Sequence, residues 1–465
     1  MGLRIITASD PLNDSAVAEL RRRLHEGGLV AGAANASNMS DQVRTIIDRV
    51  RREGDEYVAT HTREIHGGNL QAADLRVSAE CIKAAHDHYC AHEQRFMEIV
   101  RRAADNIRDY QQAIRIADEP SLRRGGRWMS VRYLPLDRVC VYVPGGKAIY
   151  PSTVLMTVVP AQVAGVRQIV MVSPPTAPVA QAFQPVHAQP GKAVPPDCTC
   201  DIHPMVLALA GELGVAEVYR AAGVAGLAAA AWGTPTIRPV DKIVGPGNAY
   251  IAEAKRQLFG QVGIDSIAGP SEVLIVADET ARADFVAADM LAQVEHDPGS
   301  AVLVTTSATL AGQVADEIER QLPTLKRSQA IGAYLDEYCA AVVVETIASA
   351  CDVANAFAPE HLQIVTADDD AALKRIRHAG AIFLGAYTPV PVGDYYAGPS
   401  HVLPTAGTAR FAGPLSVNDF LKASSMVRYD EASLSADAGD IIDIATSEGL
   451  TAHAAAVRRR KDPRS

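Results

Sequence analysis

Short runs of apolar residues recur through the second half of the chain and alternate with segments of helical periodicity. A strand that is apolar on both faces is typical of a parallel sheet covered by helices on each side. The runs fall into two sets, so the pattern predicts an α/β fold with two Rossmann-like lobes and mainly parallel sheets. The eight runs, rich in Val and Ile, lie at 139–144, 168–173, 242–247, 272–278, 301–306, 340–346, 362–367 and 381–385.

The flanking segments lack such runs. Residues 40–115 are predicted to be helical, with Ser40 capping a first helix that Gly54 ends and a second stretch, free of Gly and Pro, from Ser78 to about 115. After a segment rich in Pro and Gly, the tail is predicted to hold short helices. They lie near 416–424 and 447–459.

These patterns predict four parts of the chain. The parts are an N-terminal segment (1–39), a first lobe (40–137 joined with 267–390), a second, cofactor-side lobe (138–266) and a C-terminal site loop and dimerisation tail (391–465). The second lobe is expected to carry a surface loop rich in Pro, Ala and Gln at about 174–200.

Composition excludes several classes of partner. The 465-residue chain has a net charge of −10 and only 5% aromatic residues, which argues against nucleic acid or an anionic membrane as a partner. Its longest apolar stretch, 221–232, is too short to span a bilayer. Seven scattered cysteines predict no disulfide framework, and no signal-peptide pattern is visible, so a cytoplasmic location is expected.

Two glycine turns follow predicted strands, where open α/β sheets bind ligands. The turn VPGGKA at 143–148 comes directly after Tyr142, and GPGNAY at 245–250 leads into a helix at 249–258. Glycines let the backbone approach a ligand, and a helix N-terminus favours phosphate. A plain tight turn is the alternative at both places, and Tyr142 either stacks on a flat ring or packs in the core.

Two pairs of polar residues also adjoin predicted elements. Gln293 and His296 share one face at the end of a helix over 281–296, so they either hold one side of a metal or form a polar helix end. Glu360 and His361 stand before a strand. A neighbouring acid and imidazole can activate water and move a proton, although a solvated turn has the same composition.

The C-terminal part adds two further pairs. Asp394 and His401 lie in a loop rich in Gly and Pro, which suits a rigid site more than a regular element. Glu448 and His453 open the last predicted helix, where a lone histidine is usually structural.

Taken together, these motifs resemble one family, the histidinol dehydrogenases, which are zinc- and NAD-dependent enzymes of the last two oxidations in histidine biosynthesis. The resemblance runs from about Val43 to Val457. It rests on eight ordered motifs at 43–56, 135–148, 240–257, 268–278, 291–298, 358–364, 393–405 and 448–453.

The resemblance implies two incomplete Rossmann-like lobes with small helical N- and C-terminal segments, in an intertwined homodimer with shared active sites. It implies one Zn²⁺ per subunit, NAD, and an amino alcohol, L-histidinol, as the small-molecule substrate. The implied zinc ligands are Gln293, His296, Asp394 and His453. The implied catalytic pair is Glu360 and His361. Implied substrate contacts are Ser271, His401 and Glu448, together with the four zinc ligands and His361. Implied cofactor contacts are Tyr142 and Asn248.

The chain departs from the family pattern in several places. Ala225 stands where a Gln usually contacts NAD, Ser400 replaces an Asn, and the 174–200 segment is longer than usual. We therefore expect Ala225→Gln to tighten NAD binding, unless this region is arranged so that a Gln clashes. Three alternatives stay open: a related dehydrogenase for another alcohol such as a sulfonated propanediol, a zinc hydrolase using Glu360 as base, and a binding protein without catalysis.

Overall fold

The computed structural model describes residues 3–27, 33–116, 120–145, 150–176, 200–296 and 298–461. Most of the predicted 174–200 loop and the end of the glycine turn at 143–148 therefore lie outside the described residues. No helix in the described part is long and apolar enough to cross a membrane.

The strands alternate with helices through most of the chain. The strands are β1 (Arg4–Thr7), β2 (Ser121–Arg124), β3 (Arg127–Pro135), β4 (Arg138–Tyr142), β5 (Gln168–Ser173), β6 (Glu217–Arg220), β7 (Lys242–Val244), β8 (Gly263–Ile264), β9 (Ser271–Ala277), β10 (Gly299–Thr305), β11 (Cys339–Val343), β12 (His361–Val365), β13 (Ala381–Leu384) and β14 (Leu421–Tyr429).

The helices have the following bounds. They are α1 (Ser15–Gly27), α2 (Ala33–Glu53), α3 (Asp55–His66), α4 (Ala79–His92), α5 (Gln94–Ile114), α6 (Pro151–Ala164), α7 (Pro204–Glu212), α8 (Gly223–Trp232), α9 (Ala249–Leu258), α10 (Ala283–Val294), α11 (Ala308–Gln321), α12 (Ser328–Tyr338), α13 (Ile347–Phe357), α14 (Asp369–Leu373), α15 (Val390–Tyr395), α16 (Glu431–Ser447) and α17 (Thr451–Lys461).

Two parallel sheets form the centre of the molecule, and each of the eight predicted runs contributes a strand. The first sheet has the order β1-β11-β10-β9-β12-β13, and the second has the order β6-β5-β4-β7-β8. All neighbours in both sheets are parallel. The predicted α/β class with two Rossmann-like lobes is confirmed. Each lobe has a switch point, where the chain goes from adding strands on one side of the sheet to adding them on the other. It lies between β9 and β12 in the first sheet and between β4 and β7 in the second.

The N-terminal helices belong to the second sheet. Val43 and Val50 of α2 and Tyr57 of α3 are buried with Cys140 of β4 and Val170 of β5. The predicted grouping of 40–137 with 267–390 is therefore wrong for these helices, because their apolar faces are covered by the second sheet. The first sheet instead takes β1 from the N-terminal segment, through its pairing with β11.

An antiparallel sheet, β14-β3-β2, was not predicted. The helix expected at 416–424 is present only as a 3₁₀ helix at Val417–Phe420, because residues 421–429 pair with β3 from Leu421↔Pro135 to Tyr429↔Arg127. The last predicted helix is present as α17.

Smaller corrections concern the helix ends and the cysteines. The stretch expected from 78 to 115 is interrupted at Glu93, where the backbone leaves the helical region (φ −126°). Ser40 lies inside α2 and does not cap it. Cys81 is disulfide-bonded, so a chain expected to lack a disulfide framework does hold a paired cysteine. Free cysteines of the described part are Cys90, Cys140, Cys200, Cys339 and Cys351.

Candidate functional site

A cavity of about 850 Å³ lies between the two parallel sheets. It is bounded by the carboxyl ends of β4 and β7 on one side and by the amino ends of β9 and β12 on the other. The carboxyl ends of strands, where open α/β sheets bind ligands, therefore face the cavity in the second lobe, whereas the first lobe presents amino ends. The cavity brings together these predicted site residues: Tyr142, Asn248, Ser271, His296, Glu360, His361, Asp394 and His401.

The glycine turn after β7 forms one wall. Gly245 has a φ of +120°, and a Cβ there would lie 2.2 Å from the carbonyl oxygen of Tyr142. Only glycine allows this close approach of the turn to the end of β4. Asn248 caps α9, because its Oδ1 accepts from the N–H groups of Tyr250 and Ile251 at 3.1 and 3.2 Å. Its side-chain NH₂ is then the group that can donate to a ligand.

The opposite wall holds the predicted catalytic pair at the start of β12. Glu360 and His361 are only 5% and 3% exposed. The Glu360 carboxylate accepts from the N–H of Glu272 at 2.9 Å, and the N–H of Glu360 donates to the Glu272 carboxylate at 3.2 Å. Placing the Nδ1 proton toward the Glu272 carbonyl oxygen, 3.0 Å away, leaves Nε2 without a hydrogen bond, 3.6 Å from Asp394.

Burial sets the protonation of these groups. Loss of solvent raises the pKa of Glu360 to about 7 and that of Glu272, which also faces the charge of Glu360, to about 8. Burial alone would lower the pKa of His361. The negative charges of Glu360 and Asp394 outweigh this effect of burial and raise the pKa of His361 to about 9. The pair can therefore exchange protons near neutral and mildly alkaline pH.

Two of the four predicted metal ligands, His296 and Asp394, line the cavity beside this pair. Gln293, in the last turn of α10, is buried and its Nε2 has no partner, and His296 follows that helix. Asp394 is on α15. Burial lowers the pKa of His296, which favours the neutral imidazole that metals bind. Imidazole, carboxylate and amide groups suit a zinc ion, although an amide ligand is unusual for it.

The fourth predicted ligand lies elsewhere. His453 on α17 and Glu448 before it are exposed and do not line the cavity. The cavity of one chain is therefore lined by all the predicted site residues except these two and Gln293, which is buried near the end of α10.

The loop after α15 is fixed by small polar contacts. His401 Nε2 lies 3.1 Å from the hydroxyl of Ser152, at the start of α6. Ser400 is buried and accepts from the N–H of Val402 at 3.2 Å. The residue that replaces the family's usual Asn thus shapes the turn that carries His401.

Glu272 is a functional residue that the sequence reasoning missed. Besides its contacts with Glu360, its carboxylate accepts from the N–H of Ala406 at 3.0 Å. The available signal was an acidic residue at the start of an otherwise apolar strand, since a buried carboxyl needs partners.

A second group of metal-binding side chains lies outside the cavity. Among the residues that the structure describes, one group of His, Cys, Asp or Glu side chains has its possible ligand atoms within 4.8 Å of one another. The group consists of His86, Cys90 and Glu212. Arg101 donates to both carboxylate oxygens of Glu212, at 2.8 and 2.9 Å. This group is accordingly an ion-pair network between α4, α5 and α7, and none of the predicted ligands belongs to it.

Comparisons with known proteins agree on one family. The family model described as histidinol dehydrogenase matches residues 31–189 and 191–461. A histidinol dehydrogenase of Geobacillus kaustophilus is 47% identical over 93% of this chain and 97% of its own. One of Rhodopirellula baltica is 42% identical over 99% and 98%. The crystal structure of histidinol dehydrogenase from Elizabethkingia anophelis matches with a TM-score of 0.84 and 29% identity, covering 98% of each chain.

Ala225, the departure from the family pattern, lies in the first turn of α8 and is fully buried in the apolar cluster that includes Val172 and Leu227. It is not among the described residues that line the cavity. A longer side chain at this position would enter the core.

We therefore expect Ala225→Gln to lower the free energy of unfolding by about 1–3 kcal/mol through overpacking and a buried amide. NAD binding should not tighten. Urea unfolding and NAD titration measure the two effects, with Ala225→Ser as the small polar control. Tighter NAD binding at unchanged stability would show that the side chain reaches the cofactor.

Proposed function

Because the chain belongs to the histidinol dehydrogenase family, we propose that it oxidises L-histidinol in two NAD-dependent steps, through L-histidinaldehyde to L-histidine, with one zinc ion per subunit. The observation that carries the proposal is the single cavity in which Tyr142 and Asn248 face Glu360 and His361. The relatives reported above are named for histidinol and not for another alcohol. A cytoplasmic location stays a prediction from the sequence.

His361 is proposed to accept the hydroxyl proton in the first oxidation. With its Nδ1–H held by the Glu272 carbonyl, neutral His361 presents Nε2 as an unpaired acceptor inside the cavity. NAD, when bound, supplies the hydride acceptor for each of the two steps. Tyr142 and Asn248 would hold this cofactor at the opposite wall.

Glu360 is proposed to act in the second oxidation. Its carboxylate would take a proton from the water that adds to the aldehyde, since its pKa near 7 suits a base at neutral pH. Gln293, His296 and Asp394 would hold the zinc ion, whose contribution when bound is to orient the amine and imidazole of the substrate. Ser271 and His401 line the same space as proposed substrate contacts.

A homodimer with shared sites accounts for the position of the remaining residues. Glu448 and His453 are exposed, as are the apolar side chains of Val427 on β14 and Ile444 on α16. Exposed apolar groups of this kind are typical of interfaces. We propose that a second copy covers this region and that His453 and Glu448 complete the partner's site.

The function is tested by following NADH formation with L-histidinol beside a panel of other alcohols that includes a sulfonated propanediol. We expect two NADH per L-histidinol and no comparable turnover of the others. Preferred oxidation of another alcohol would support the related dehydrogenase instead. Absence of NADH with every alcohol, together with hydrolysis of an added ester or amide, would support the zinc hydrolase.

The two acid–base roles can be separated with Glu360→Gln, which keeps the shape of the side chain but removes the base. Conversion of L-histidinaldehyde to L-histidine should slow about 100-fold or more, whereas the first hydride transfer should slow much less. Single-turnover NADH formation from each substrate measures both steps. An equal loss in the two steps would contradict this division of roles.

The rate of the first oxidation should depend on pH through His361. A raised pKa, to about 9, means that the ring is protonated below that pH and cannot accept the hydroxyl proton. The rate should therefore rise from neutral pH toward about 9. Bound zinc would offset the charge of Asp394 and move the midpoint lower. A pH profile of single-turnover hydride transfer that has no ascending limb at any pH below about 9 would rule out His361 as the base.

Shared sites can be tested by mixing two variants that are each expected to be inactive, His296→Ala and His453→Ala. A mixed dimer would hold one site with both histidines intact, so random pairing should restore about a quarter of wild-type activity. Mass spectrometry of intact dimers confirms that subunits have exchanged. Exchange without recovered activity would place His296 and His453 in the same site of one chain.

A further inference from the structure

We propose that Lys255 and Asp265 are a positioning pair that fixes the backbone of Gly245 and so holds the 245–248 turn in the shape that binds the dinucleotide. The inference rests on the proposed function, because it concerns the NAD side of the cavity. Neither residue was singled out from the sequence.

The contacts are specific to one peptide unit. The N–H of Gly245 donates to Asp265 Oδ2 at 2.7 Å, and the carbonyl oxygen of Gly245 accepts from Lys255 Nζ. Lys255 Nζ also donates to Asp265 Oδ1. Both polar groups of this glycine are therefore bound by the two partners of one ion pair.

The pair is almost completely buried, with each side chain only 3% exposed. Burying two charges is unfavourable unless their remaining hydrogen-bonding groups are also satisfied. The Gly245 backbone provides that satisfaction here. A buried pair contributes little to stability by itself compared with apolar side chains, so its placement on one glycine of a ligand-facing turn points to a role in shape.

The position of the pair explains what it holds. Lys255 is on α9, whose N-terminal residue is preceded by its cap, Asn248, and Asp265 directly follows β8. Gly245 is pressed against the end of β4 through the carbonyl of Tyr142. The pair thus joins β8, α9 and the turn after β7, and it fixes the distance between the two proposed cofactor contacts, Tyr142 and Asn248.

The test compares three variants with the wild type by NAD calorimetry and by hydrogen exchange of the peptide that contains Gly245. Asp265→Asn keeps an acceptor but leaves Lys255 without its counter-ion. The double variant Lys255→Met/Asp265→Asn removes both charges, which keeps the test usable if the single variant does not fold. Glu217→Gln is the control. It weakens the Arg138–Glu217 ion pair at the amino edge of the same sheet, away from the cavity.

We expect Asp265→Asn and the double variant to bind NAD about tenfold or more weakly, a change of one decade in Kd. The KM for NAD should rise while kcat at saturating NAD changes little, and the amides of the turn should exchange faster. Glu217→Gln should bind NAD like the wild type even if its melting temperature falls as far.

Two results would overturn the inference. One is unchanged NAD affinity in a folded Asp265→Asn or double variant. The other is an equal loss in Glu217→Gln, which would reduce the effect to general stability of the sheet. If the wild type itself shows no NAD binding, the proposed function fails, and the two failures are thereby distinguished.

Discussion

The pairing of two buried carboxyl groups, Glu272 and Glu360, is the constraint on which the centre of the molecule depends. Each residue's N–H donates to the other's side chain, so neither acid is buried without a donor. The carbonyl of Glu272 fixes the ring of His361, and its carboxylate binds the loop at Ala406. The backbone and side chain of Glu272 therefore take part in all of these contacts. They join the starts of β9 and β12, orient the ring of His361 and hold the C-terminal loop.

The two lobes use opposite edges of similar sheets. Both have one reversal of strand order, but the second lobe offers its carboxyl edge to the cavity and the first lobe its amino edge. In the first lobe the crevice between the carboxyl ends of β9 and β12 is bridged by Asp278, whose carboxylate accepts from the N–H of Ala367 at 2.7 Å. A nucleotide-binding architecture is thus present twice, and only one copy faces the cavity with its usual edge.

The eight central strands could be predicted because they are short runs rich in Val and Ile that are apolar on both faces. β2 could not, because its residues are all exposed and its sequence has no alternation. β14 looks helical locally and becomes a strand only through pairing with β3. Packing partners of α2 to α5 were also invisible, since an apolar helix face does not specify which sheet covers it.

The site divides in the same way. Glu360 and His361 could be proposed from the sequence because an acid and an imidazole stand together before a predicted strand, and Asp394 because it lies in a loop rich in Gly and Pro, while the family resemblance implied their roles. Lys255 and Asp265 could not be predicted, because a charged residue in a sequence gives no sign that it will be buried beside a specific partner. For Glu272 the sequence offered only an acid at the start of an otherwise apolar strand, which does not name its partner. The burial of Ala225 could not be predicted either, since its place in the chain did not show which way its side chain points.

If a partner subunit receives the exposed Glu448 and His453, as proposed, catalysis depends on the amount of protein present. A chain folded alone keeps the cavity, the carboxyl pair and the glycine turn, but it lacks two polar groups proposed for the finished site. Completeness of the site then becomes a property of the assembly and follows mass action. Below the dissociation constant of the assembly, specific activity would fall with dilution although every chain remained folded. Activity would therefore appear only once synthesis of the chain had raised its concentration above this constant.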